Sequence, residues 1–141
     1  MKHSYILLKL VLALVAVIHI IVGLVGIIPG IPLSYVLVFY GGALQFSPLI
    51  AYLLQMFAAY MLTIGALGIY ALWDPLKHKA IIHCIIFLLL FRGIQRILYL
   101  RQVKTVFGMV PDYYWTQTIL FLLVALALLW LRPRAAATTK A

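Results

Sequence analysis

Carboxylates are almost missing: Asp74 and Asp112 are the only acidic side chains in 141 residues. They fall at opposite ends of the apolar runs, so paired acid–base chemistry has no candidates. Proton-coupled export of cations calls for a carboxylate inside a spanning helix, and neither aspartate lies in one. Cys84 is the single cysteine, which excludes a disulfide within the chain. No HExxH, CxxC, GxSxG or phosphate-cradling glycine loop occurs, and the absence of these signatures points away from an enzyme. Charge is scarce as well, at 9% of residues, against about 25% in soluble domains.

What fills the chain is apolar: 67% of residues are hydrophobic, where soluble domains average about 45–50%. Breaks at Pro29 and Pro32, Asp74-Pro75, Gly108 and Pro111, and Arg132-Pro133 divide the sequence into four runs. They predict helices over about 6–28, 48–73, 79–100 and 114–131, each near the roughly 20 residues a membrane span needs. The expected architecture is all-α, a four-helix transmembrane bundle within one domain over 1–134, followed by a flexible tail over 135–141. The first run exceeds a signal-peptide core and lacks a prompt small-residue cleavage site, so a retained helix is expected. Residues 29–47, with Tyr35, Phe39, Tyr40 and Phe46, suit either an interfacial hairpin or a re-entrant segment.

Lysine and arginine set the expected orientation. Lys2 and Lys9, Lys77 and Lys79, and Arg132, Arg134 and Lys140 place both termini and the middle turn in the cytoplasm, an N-in/C-in topology. Arg101 and Lys104 go against this pattern and single out the outer end of the third helix. The net charge of +9 thus belongs to lipid-facing anchors, and nucleic acid is excluded because no basic face interleaved with aromatics is present.

Small residues recur at helical spacing on the first helix (Ala16, Gly23, Gly26) and on the second (Ala51, Ala58, Gly65). Such stripes let backbones approach in lipid, so antiparallel packing of these two helices is expected at the centre of the bundle. Polar residues interrupt the runs at His19, Gln55, Arg92 and Arg96. Counted from the outer helix ends at about 1.5 Å per residue, they lie about 13, 10, 12 and 6 Å deep. Gln95 continues the arginine stripe, and Gln117 enters from the fourth helix. These six residues form the candidate ligand site, while the bland expectation for Arg96 is snorkelling to lipid phosphates. With Asp112 the only outer carboxylate, a net positive pocket suits an anionic headgroup, a quinone oxygen or a partner's carboxylate. His19 and His83 differ too much in depth for a shared haem, leaving a single-histidine pigment or haem site as a lesser reading. No particular cofactor is specified.

Tyr40-Gly41-Gly42 before the second helix, Asp74-Pro75-Leu76-Lys77-His78 after it, and Arg92 with Arg96 in the third resemble the DoxX-like four-helix bacterial membrane proteins. That resemblance spans about half the chain and implies a bundle in a bacterial inner membrane. It leaves function open, because the family's roles are mixed. The residues themselves lead first to a non-enzymatic accessory or structural subunit, with other membrane subunits or self-association as partners besides the lipid bilayer. Binding of a small molecule, lipid or quinone through the outer polar pocket is the alternative.

Overall fold

A computed structural model describes residues 2–28, 48–102 and 111–132. Four helices account for nearly all of them: α1 (Lys2–Ile27), α2 (Pro48–Trp73), α3 (Lys79–Leu98) and α4 (Pro111–Leu131). The expected segments at 29–47 and 135–141 lie outside the described residues. Among the described residues there is no strand. α1 starts four residues before the expected boundary and α4 three before, while α3 gives way to a turn at Tyr99.

The helices follow from the chain's punctuation. Proline is absent from their interiors, and Pro48 and Pro111 open α2 and α4 at the first position, where a missing N–H costs little. The helices are apolar around most of their circumference. Leu7, Leu10, Leu14 and Ile21 of α1 are exposed, opposite buried Leu8, Leu12, Val15 and Ala16. Such all-round hydrophobicity is tolerable where the surroundings are lipid. All four helices are long and apolar enough to cross a membrane. The shortest such stretch has 18 residues, about 27 Å at 1.5 Å per residue, against a hydrocarbon core of about 30 Å.

α1 and α2 make the most extensive contact in the molecule, and glycine makes it possible. A Cβ on Gly65 would lie 2.5 Å from Ile20 Cγ1 and 3.0 Å from the Ala16 carbonyl oxygen. One on Gly23 would lie 2.6 Å from Leu62 Cγ and 2.8 Å from the Leu62 nitrogen. Ala16 also faces Gly68, and Gly26 faces Ala58. Partners run in opposite directions along the two helices, so the expected antiparallel packing of the small-residue stripes is present.

Asp74 makes the turn into α3. Its Oδ1 accepts from the backbone N–H groups of Leu76 and Lys77 at 3.1 and 3.2 Å, and its carbonyl accepts from Lys77 and His78. A turn this short forces α2 and α3 antiparallel. α3 and α4 form a second close pair, with Gly93 against Leu122. The two pairs meet less extensively, α1 touching α4 and α2 touching α3. Packing also differs from end to end. Leu8, Leu12, Ile82, Ile85, Leu89, Ala125 and Leu128 fill a continuous core toward the end where α1 begins and α4 stops. His19, Arg92, Arg96 and Gln117 sit toward the other end, where α1 stops and α4 begins.

Candidate binding site

Arg92 occupies the junction of the two helix pairs. It projects from α3, half-buried, with its guanidinium carbon 5.0 Å from the ring centre of Phe57 on α2 and 4.9 Å from that of Phe121 on α4. Nη1 also approaches Met61 Sδ at 3.7 Å. An arginine at the centre of a spanning helix costs about 2.5–3.5 kcal/mol. A cation over an aromatic face is worth about 0.5 to 2 kcal/mol, so two such faces are of the size needed to offset that cost. The arginine is thus held inside the bundle between aromatic rings of two neighbouring helices.

Between α1 and α4, on one side of Arg92, lies a cavity of about 310 Å³. Val15, Ile18 and Val22 of α1 and Leu120, Phe121 and Val124 of α4 supply apolar walls, into which His19, Arg92, Thr116 and Gln117 bring polar groups. His19 retains 5% exposure. Its Nδ1 lies 2.7 Å from the Val15 carbonyl; a carbonyl only accepts, so Nδ1 carries the proton and donates. That bond fixes the ring and leaves Nε2 as the imidazole's other polar atom. Thr116 donates its hydroxyl to the Asp112 carbonyl at 2.8 Å, keeping its lone pairs. Gln117 contributes a buried Oε1. An apolar chamber with a few convergent polar groups is the usual form of a small-molecule site, and its volume lies at the small end of the roughly 300–1,000 Å³ range.

The six residues expected at the site therefore separate. His19, Arg92 and Gln117 share the cavity. Gln55 is exposed on α2 and lines neither this cavity nor the larger groove beside it. His19 instead pairs with its own backbone one turn earlier. Gln95 is exposed and lines the groove between α2 and α3, on the far side of Arg92.

Arg96 corrects the snorkelling expectation. Its Nε donates to Thr118 Oγ1 at 3.1 Å, and its guanidinium carbon lies 4.2 Å from the Tyr114 ring centre. The Tyr114 hydroxyl donates in return to the Arg96 carbonyl. Thr118 in turn donates to the Tyr114 carbonyl at 2.8 Å. Arg96 thus latches α3 onto α4 and is committed to structure.

Phe57, Met61 and Phe121 were not anticipated as site residues. Met61 lies on the same face as Ala58, Gly65 and Gly68, at spacings of three, four and three, and that period was a usable signal. His83 is bound at both nitrogens, Nδ1 to the Lys79 carbonyl at 2.7 Å and Nε2 to Arg132 Nη1 at 3.3 Å. Among the described residues no group of three or more His, Cys, Asp or Glu side chains could hold a metal ion.

No protein-family model, no curated protein and no solved structure matches this chain.

Proposed function

We propose that this chain is a multi-pass protein of a bacterial inner membrane, with both termini cytoplasmic, that binds the polar head of an amphipathic small molecule. The head carries acceptor oxygens, as in an anionic lipid headgroup or a quinone. One observation carries the reading: His19, Arg92 and Gln117, from three different helices, converge on a cavity that is otherwise apolar. Arg92 supplies charge and donors, the Gln117 amide supplies both a donor and an acceptor, and His19 Nε2 tops up the set. The distribution of lysine and arginine supports the orientation, which puts the cavity toward the outer leaflet.

An accessory or structural subunit is the second reading. Its support in the sequence was the lack of catalytic groups, the charge-poor helices and the small-residue stripes, and the stripes are occupied in the α1–α2 contact. Ligand binding therefore takes precedence.

Purification in mild detergent followed by mass spectrometry of the bound molecules tests the proposal. The wild-type chain should retain an anionic lipid or a quinone, Arg92→Leu should lose it, and Arg96→Leu should keep it. Equal retention by Arg92→Leu, or foreign subunits co-purifying in place of any amphiphile, would overturn ligand binding in favour of the subunit reading. Visible absorption instead would favour a single-histidine pigment site.

A further inference from the structure

A second hollow lies between α2 and α3, with a volume of about 770 Å³. Phe57, Tyr60, Phe87 and Phe91 form much of its wall, and the Phe87 and Phe91 rings stand 4.5 Å apart. Gln95 marks one end, and Cys84, exposed, marks the other. From Arg92 to Cys84 the groove runs about 12 Å along α3 at 1.5 Å per residue, somewhat less than half of the roughly 30 Å hydrocarbon core.

This groove and the α1–α4 cavity share two lining residues, Met61 and Arg92. Those two side chains form a common wall. Arg92 is held on it by aromatic faces, and Met61 is an unbranched thioether that repacks readily. α2 and α3 also meet less extensively than α1 and α2 do. The cavity by itself has room for a headgroup or a single ring, whereas the groove has the length and the apolar wall for a chain.

We infer that the two hollows are the halves of one site for a single-chain amphiphile, with its head at His19, Arg92 and Gln117 and its tail passing Met61 into the α2–α3 groove toward Cys84. This rests on the cavity reading above and adds the class of ligand and the path of its tail. Arg92 then has a positioning role at the neck of the site, where it meets the head and turns the chain.

Cys84 is the natural reporter, being the single cysteine of the chain. The full-length protein in phosphatidylcholine nanodiscs would be treated with N-ethylmaleimide, and Cys84 modification followed by mass spectrometry. Palmitate and a decyl-tailed quinone are the two probes, distinguishing a carboxylate head from a quinone head. At about ten times its Kd, the correct probe should slow modification about tenfold, in proportion to the unliganded fraction. Arg92→Leu should remove the protection, and so should Gln117→Leu, a milder change should the first variant fold poorly. A probe held in an Arg92-dependent way that leaves Cys84 fully reactive would overturn the tail path and spare the cavity reading. Protection that persists in both variants would show chain adsorption without a head site, overturning the joined site. Failure of both probes to bind or protect would overturn it too, while the retained-ligand experiment decides the cavity reading separately.

Discussion

Exchanging one methyl group between two helices tests the close contact of α1 and α2 most directly. A Cβ added at Gly26 would lie 2.5 Å from Ala58 Cβ, while the next nearest atoms are at 3.7 and 3.9 Å. The clash of Gly26→Ala is therefore with a single methyl, and overpacking of this kind costs about 1–3 kcal/mol. Ala58→Gly alone should cost about 1 kcal/mol from the glycine in a helix interior. Together the two should be less damaging than their separate costs added, since the methyl that clashes has gone, giving a coupling of about 1–2 kcal/mol. Gly23 supplies the control. A Cβ there would lie 2.8 Å from the Leu62 nitrogen and 2.9 Å from the Ala58 carbonyl oxygen, and no side-chain exchange removes backbone atoms. Gly23→Ala should stay destabilised whether or not Ala58→Gly is present, and Gly23→Leu should be worse. The assay is thermal unfolding in detergent for the single and double variants. Strict additivity of Gly26→Ala and Ala58→Gly would refute the reasoning, as would melting curves unchanged by Gly23→Leu.

The latch between α3 and α4 gives a separate expectation. Arg96→Leu should lower stability by about 2 kcal/mol, since it removes a charged hydrogen bond to Thr118, and detergent melts measure that loss. Gly93→Ala should be milder than Gly23→Ala, because its Cβ would meet only the flexible Leu122 side chain, at 2.5 Å; the same melts compare them. For orientation, reporter fusions at residue 141 and within the 74–79 turn should both read cytoplasmic, and a periplasmic signal at either would reject N-in/C-in.

The gross form of this protein was written locally. Long apolar runs, bounded by proline and by Asp74-Pro75, dictate four helices because backbone groups in hydrocarbon have to be paired within their own segment. The period of Ala16, Gly23 and Gly26 and that of Ala58 and Gly65 likewise announced which faces meet, since small residues at helical spacing allow close approach whatever lies elsewhere. Depth along each helix, counted at a fixed rise, brought His19 and Arg92 to a common level. Rotation about each helix axis and the choice of partner are different matters. Gln55 shares that level yet faces outward, and Arg96 lies one turn from Arg92 yet spends its donors on α4. These outcomes depend on how the two helix pairs settle against each other, which sums many weak contacts no single segment contains. Only that packing set Phe57 and Phe121 about the Arg92 guanidinium, and only it left Met61 and Arg92 as the wall between two hollows.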